Sequence, residues 1–417
     1  MSTMKDSGIP WIGKIPENWK VSKLKYFVDC YDGKRVPVDA SLRNSGPYPY
    51  WGAGSIMDYV DDYLFDEELV LLGEDGAPFF DYTRPVAFYV NEKVWVNNHI
   101  HVLKPHASID IKYLIHYLNN VDYKSYINGS ILNKLTQTNM NSIAFVFPDK
   151  EEQKRIANYL DAECARIDAV MEQTRASIEE YKKLKQSIIT EAVTKGIRPN
   201  RPMKDSGIDW IGQIPADWDT LRKLSYACNK SISYGIVKLF EPDDENGVKV
   251  LRCSDIREGI IIPDNIRTVT QKVSQEYNRT VLSGGEVVIN VRGTLGGCAV
   301  VPMDMRGYNI AREVAMVSVS NCLANRYLMY YLLSKAFLIY EERHLAGSVY
   351  VGLNIEMLSA CPIPLPCLGE QEEIIRYLDN KCQAIDIMIS SKERFLSEME
   401  SYKKSLIFEY ITGKKEV

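Results

Sequence analysis

The chain has 417 residues, too many for one compact core, and so calls for at least two domains. With 46% apolar and 25% charged residues it has the composition of a soluble globular protein, and its net charge of −5 argues against a wholly basic nucleic-acid surface while leaving room for a local basic face. No apolar stretch is long enough to span a membrane, the first residues lack the apolar core of a secretory signal, and nine cysteines without a CxxC pair read as free thiols in a reducing cytoplasm.

The first recognisable element is the phrase KDSGIPWIGKIPENW, Lys5 to Trp19. It returns as KDSGIDWIGQIPADW, Lys204 to Trp218, with eleven of fifteen positions identical at an offset of 199. Its prolines and glycines rule out a helix interior. Trp11 and Trp210, with their Ile-Gly and Ile-Pro pairs, make a short apolar hook at the entry to each copy. Such a hook either packs on its own domain or offers a partner a docking site. Beyond the first hook, TRPVAFYV and VWVNNHIHVL alternate apolar and polar residues and read as strands. IKYLIHYLNNV then reads as a helix.

After Pro148, the acidic turn Glu151-Glu152 opens a long helix through EQKRIANYLDAECARID. Leu160, Ile167, Thr174, Tyr181 and Ile188 recur every seven residues, with Cys164, Met171 and Ile178 on the neighbouring seam. No Pro or Gly intervenes until Gly196. About 45 residues give a rod of roughly 65 Å. The linker KGIRPNRP, Lys195 to Pro202, leads into the second copy. There GEVVINV and CAVVPM read as strands, and NRYLMYYLLSKAFLIY as one helix. EQEEIIRYLDNKCQAID, Glu370 to Asp386, repeats the first rod at an offset of 218. Leu378, Ile385, Met399 and Leu406 line it with Cys382, Ile389, Leu396 and Tyr410, and Lys392 and Lys403 interrupt the pattern. Gly129-Ser130 and Gly347-Ser348 keep the same offset. The offset grows from 199 to 218, so the second copy holds about 19 more residues in its first part.

These elements predict an α+β protein: two tandem mixed domains separated by an antiparallel coiled coil of two long helices, as a pseudo-twofold internal repeat. The expected boundaries are 1–150 for the first domain with its hook at 5–19, and 151–197 for the first helix. Residues 198–369 form the second domain, with its hook at 204–218, and 370–417 the second helix. No catalytic signature accompanies them. There is no Walker A loop, no FxGxG-like cofactor strand and no (N/D)PP(Y/F) tetrapeptide. RGTLGG, Arg292 to Gly297, lacks the phosphate-binding lysine and reads as a turn between strands. His99 and His101 share a strand face without a third ligand at a telling spacing, and Cys361 and Cys367 flank an extended strand rather than a zinc knuckle, so neither a metal nor a cofactor is expected.

The layout resembles the specificity (S) subunit of type I restriction–modification systems. The resemblance rests on the two hooks, on YPYWGAG, LLGEDGAP, WVNNHIHVL and EQKRIANYLD in the first copy, and on YGIVK, VRGTLGG, PIPLP and EQEEIIRYLD in the second. It covers essentially the whole chain. It implies a non-catalytic, cytoplasmic subunit with two target-recognition domains, each reading one half of a split target in double-stranded DNA. It also implies that the helices bind two methyltransferase (M) subunits, with restriction (R) subunits joining for cleavage. The residues alone leave a second reading open, a coiled-coil scaffold with two ligand-binding heads not specific for DNA.

Base reading calls for Arg toward guanine, Asn or Gln toward adenine, and aromatic neighbours. The first copy offers Lys34, Arg35, Arg43, Tyr48, Tyr50, Trp51, Arg84, Asn98, His99 and Lys134. The second offers Tyr234, Arg252, Arg257, Arg292, Arg312, Tyr350 and Asn354.

Overall fold

The computed structural model describes residues 3–81, 83–127, 133–221, 223–237, 246–293, 296–345 and 352–417. Its two compact units cut across the sequence repeat. Residues 1–175 and 392–417 form the first unit, and residues 176–391 the second. Each unit therefore completes its core with a helix segment from the other repeat.

In the first unit, an antiparallel sheet runs in the order Val28–Cys30, Ile100–Pro105, Leu69–Gly73, Ala87–Val90. A mixed sheet runs Ile56–Val60, Ser45–Trp51, Lys93–Val96, Phe65–Asp66, with one parallel pair, Trp95 to Tyr50 and Val96 to Trp51. Helix α1 (Ile111–Leu118) follows, its amide groups Lys112 and Tyr113 capped by the Asp110 carboxylate. Helix α2 (Gln137–Ser142) is capped by Thr136. Helix α3 (Lys150–Lys195) is the first rod, and its residues up to Arg175 belong here.

The second unit repeats this plan. Ser233–Tyr234, Val314–Val317, Val287–Asn290 and Cys298–Val300 form the antiparallel sheet. Thr268–Val269, Val248–Leu251 and Asn309–Ile310 form the mixed one, again with a parallel pair. Helix α4 (Gln271–Glu276) packs beside it. The long helical phrase is not one helix. It breaks into α5 (Asn325–Leu332) and α6 (Lys335–Leu345). Fully buried Ser334 turns its hydroxyl onto the Tyr331 carbonyl, and Thr190 and Gln186 capture the Lys335 amide and the Leu333 carbonyl freed at the break. Helix α7 (Ile355–Ala360) matches α2, with Asn354 as its cap. Helix α8 (Leu368–Ile411) is the second rod.

Within each unit the two rod segments pair antiparallel. In the first, Asp168 meets Lys403 at 2.6 Å and Arg175 meets Glu400 at 3.4 Å, numbers rising along α3 as they fall along α8. In the second, Lys185 meets Asp386 at 2.7 Å, the same pair 218 positions on. Leu160, Cys164, Ile167, Met171 and Ile178 of α3 are buried as the heptads predict. The stripe then steps eleven residues to Ile189, Ala192 and Val193 rather than holding Tyr181 and Ile188 in phase. Eleven residues are about three turns of an ordinary helix, so the stripe follows 3.6 residues per turn there instead of 3.5.

Both hooks pack inside their own unit. Gly8, Gly13, Gly207 and Gly212 take φ near +70°, a turn that L side chains rarely adopt. Buried Trp19 donates its indole N–H to Glu152 at 3.3 Å, and buried Trp218 donates to Glu370 at 3.0 Å. The Tyr113 hydroxyl lies 3.1 Å from the carbonyls of Val146 and Ile411; that of Tyr327 lies beside those of Pro364 and Val193. Each hook thus sits between its domain and both rod ends of its unit.

Candidate nucleic-acid interface

Some of the predicted side chains, Asn98, His99 and Lys134 in the first unit and Arg292 and Arg312 in the second, gather at one backbone crossing, built twice. In the first unit the turn after Leu69–Gly73 meets the turn after Lys93–Val96. The amides of Glu74 and Asp75 both point at the His99 carbonyl, the Leu135 amide donates to the Glu74 carbonyl, and Asp75 bridges Lys134. In the second unit Val291 and Arg292 donate to the Glu313 carbonyl, Leu353 donates to the Val291 carbonyl, and Arg292 bridges Gly352. Gly76 and Gly293 follow in the same left-handed conformation, φ +70° and +77°. The Asn97 amide reaches the Trp51 carbonyl as the Ala311 amide reaches that of Leu251.

The backbone is the same and the side chains are not. Asp75 stands where Arg292 does, Asn98 where Arg312 does, His99 where Glu313 does, and Lys134 where Gly352 does. Asn98, His99, Arg292 and Arg312 are exposed. Around the first crossing the charges compensate one another. Lys134 lies 3.0 Å from Asp75 and 3.3 Å from Glu74, and His99 lies 3.5 Å from Asp75. Arg35 pairs with Glu74 at 2.6 Å and donates to the Ile100 carbonyl at 2.9 Å. Lys34 is exposed over the Tyr31 ring at 3.8 Å.

Beneath the first crossing lies a buried pair. His101 is fully buried, its Nδ1 2.6 Å from Asp32 and its Nε2 2.8 Å from the Leu135 carbonyl. Burial alone would raise the Asp32 pKa, but the hydrogen bond and charge of His101, the Val102 amide and Arg35 together hold it below the ordinary carboxylate value. Cys30 stands close by, completing a Cys30–Asp32–His101 cluster whose ligand atoms lie within 4.8 Å of one another. Burial pushes the Cys30 thiol up to about 11, both ring nitrogens of His101 already have hydrogen-bond partners, and the Arg35 guanidinium already supplies the neighbouring positive charge. The donor set therefore suits a hydrogen-bonded strut better than a metal ion. The second unit meets the same demand differently: Tyr234 Oη lies 3.4 Å from the equivalent carbonyl, Leu353, and accepts from the Ile355 amide at 2.9 Å.

The other predicted residues divide by setting. Tyr50 is buried under the Arg43 guanidinium, 4.1 Å from its ring, and exchanges hydrogen bonds with Val38. Arg43 also binds the Val38 carbonyl and Asp58. Trp51 is core, 5.1 Å from Phe88. Half-buried Tyr48 packs on Tyr63, which Lys93 covers at 4.4 Å. Arg84 is exposed in the turn after Asp81, apart from the crossing. In the second unit Arg292 lies 5.5 Å from the Tyr234 ring, and Asn354 spends its side chain on the Met357 amide. Arg252 is tied to Asp255 at 3.2 Å, whereas Arg257 is exposed. Tyr350 falls outside the described residues. Sequence reasoning passed over Asp32, Glu74, Asp75 and Glu313. The phrase LLGEDGAP contained two of them, but Asp32 and His101 are 69 positions apart, and only the fold joins them.

Comparison with known proteins identifies the family. A family described as type I restriction modification DNA specificity domain matches residues 16–180 and again 221–394. The MjaVIII type I restriction enzyme specificity subunit of Methanocaldococcus jannaschii is 24% identical over 412 residues, covering 96% of this chain and 94% of that protein. The EcoBI specificity subunit of Escherichia coli is 23% identical, covering 70% and 63%. Among solved structures, a chain described in the complex assembly and conformational transition of a type I R-M system superposes with TM-score 0.70 at 17% identity, covering 96% of this chain and 99% of that one. The HsdS subunit of Thermoanaerobacter tengcongensis gives 0.50 at 17% identity, covering 96% and 98%. These relatives speak for DNA sequence specificity and against a scaffold whose heads ignore DNA. With two family matches spanning most of its length on a duplicated recognition scaffold, the chain belongs to the type I restriction–modification DNA specificity family, as a non-catalytic specificity subunit.

Proposed function

We propose that each unit reads one half of a bipartite target in double-stranded DNA, and that the exposed side chains at its crossing carry the reading. One observation supports this above the rest. The two crossings keep the same backbone hydrogen bonds while exchanging Asp75, Asn98, His99 and Lys134 for Arg292, Arg312, Glu313 and Gly352. A fixed frame with replaced donors and acceptors is what two different half-sites require. Arg292 and Arg312 suit guanine, Asn98 suits adenine, and a carboxylate suits cytosine N4. Lys34, Arg84 and Arg257 are candidates for phosphate contacts, which position the duplex without reading it. Arg35, Arg43, Tyr50, Trp51, Tyr234, Arg252 and Asn354 would act indirectly by holding these loops, and Tyr48 by packing beside them. The recognition domains would span 1–150 and 198–369, with spacer helices at 151–197 and 370–417.

The partners follow from the helices. Val170 and Tyr402 are exposed on the rods of the first unit at 43% and 52%, and Met388 and Leu184 on those of the second at 45% and 47%. Val170 and Met388 are repeat equivalents, as are Leu184 and Tyr402, so each unit displays the same pair of apolar positions. That suits one methyltransferase subunit per unit, two per chain, with restriction subunits joining such a complex. Among the described residues no helix is long and apolar enough to cross a membrane, and a cytoplasmic setting fits the DNA target.

The test exchanges residues 19–148 for the first domain of another family member and maps adenine methylation by the reconstituted complex. One half-site should change and the other stay. A change in both halves, or binding to duplex DNA that ignores salt, would overturn the reading. Co-purification with the cognate methyltransferase should saturate at two copies per chain.

A further inference from the structure

Tyr159 and Tyr377 are repeat equivalents, 218 positions apart. In the first unit the Tyr159 ring meets Tyr410, centroids 4.6 Å apart, and Lys415 closes the same place by pairing with Glu409 at 2.6 Å. The equivalent of Tyr410 in the second unit is Ala192, and that of Glu409 is Glu191. Ala192 brings no ring to Tyr377. A cavity of about 410 Å³ takes its place, floored by Ile188, Ala192, Ile197, Met203 and Tyr377, with Glu191 and Lys195 at its edge.

We propose that this cavity is a docking pocket for an aromatic residue of a partner protein, carried beside an acidic residue. The first unit supplies the precedent, since a tyrosine fills the corresponding place against the same tyrosine. Offset or tilted ring pairs of this kind are favourable beyond the area they bury. The charges select the neighbour. Arg198 is paired with Glu373 at 2.8 Å, and Arg201 with both Glu370 and Asp217. Lys195 is exposed, and among the described residues no carboxylate pairs with it. Lys195, with Lys381 over the Tyr377 ring at 5.8 Å, matches a carboxylate, while the Glu191 carboxylate beside them repels a run of phosphates, which favours protein over nucleic acid. Tyr410 already fills the corresponding place in the first unit, so the open cavity belongs to the second.

The probe is N-acetyl-tyrosyl-glutamate amide, followed by ligand-observed NMR against the full chain. Saturable binding at one site per chain is expected. Ala192→Tyr, which supplies the missing ring from within, should abolish it. Lys195→Glu should weaken it about tenfold, the worth of a charge-assisted contact, and Lys195→Arg should restore it. Duplex DNA binding is measured on the same samples and should be unchanged in all three variants, so failure here is separable from failure of the recognition reading. Should Ala192→Tyr lose duplex binding as well, it is misfolded and Lys195→Glu carries the test. Absence of probe binding to the parent chain, equal binding by Lys195→Glu, or displacement of the probe by a short duplex would each overturn the proposal.

Discussion

Arg292 and Asp32 mark the two kinds of residue at the crossing, one facing outward and one holding the frame. Arg292 is exposed, its guanidinium 5.5 Å from the Tyr234 ring. Arg292→Ala should cost about 1–3 kcal/mol of discrimination at one base of the second half-site and leave the first untouched, as read by methylation of single-base variants. Asp32 is buried against His101. Asp32→Asn takes the carboxylate out of a network with buried His101, the Val102 amide and Arg35 and should destabilise the first unit by about 3 kcal/mol. Because the folded Asp32 pKa is depressed, its stabilisation is present above the carboxylate's unfolded value and disappears as pH falls through the folded one. Hydrogen exchange in Ile100–Pro105 should therefore accelerate in acid in the parent chain and lose that dependence in Asp32→Asn. Exposed polar residues such as Asn98 and Arg312 were legible as candidates from their type. The roles of Asp32 and Tyr234 were not, because burial and partner geometry decide whether a polar group reads a ligand or braces a loop.

The helices were the most legible elements. A run of heptads without Pro or Gly has few alternatives to a long helix, and α3 and α8 are long helices, Lys150–Lys195 and Leu368–Ile411. What the heptads missed is the step from Ile178 to Ile189, where the packing partner rather than the pattern sets the phase. Leu160 and its repeat equivalent Leu378 are both fully buried. Leu160→Ala and Leu378→Ala should each cost about 2–5 kcal/mol, read as a lower urea midpoint, and the two effects should add because they lie in separate cores. The break between α5 and α6 was hidden for the opposite reason. Apolar periodicity runs through Ser334, and only the tertiary partners Thr190 and Gln186 make an interruption favourable.

At the scale of the molecule, the repeat and the rods together suggest that helix length sets the spacing between half-sites. Inserting four residues beside Ala176 adds about one turn, roughly 6 Å, and nearly preserves the phase of the stripe. If that displacement reaches the DNA in full, it corresponds to between one and two extra base pairs at about 3.4 Å each. Methylation mapping should then return the same half-sites with a longer non-specific gap. Inserting two residues turns the stripe by about 200° and should abolish folding or assembly. An unchanged gap in an active four-residue variant would show that the rods do not set the distance.

The sequence by itself determined the duplication, the hooks, the long helices and, through its phrases, the family. All of these are local or periodic, and a single chain displays periodicity directly. Only the tertiary structure decided that each unit borrows a helix segment from the other repeat, because antiparallel pairing of the rods brings Leu406 and Ile411 into the first core and Ile189 and Val193 into the second. It also decided that Asp75 and Arg292 occupy one position on a common frame, since that equivalence is carried by backbone hydrogen bonds to His99 and Glu313, which no spacing in the sequence records.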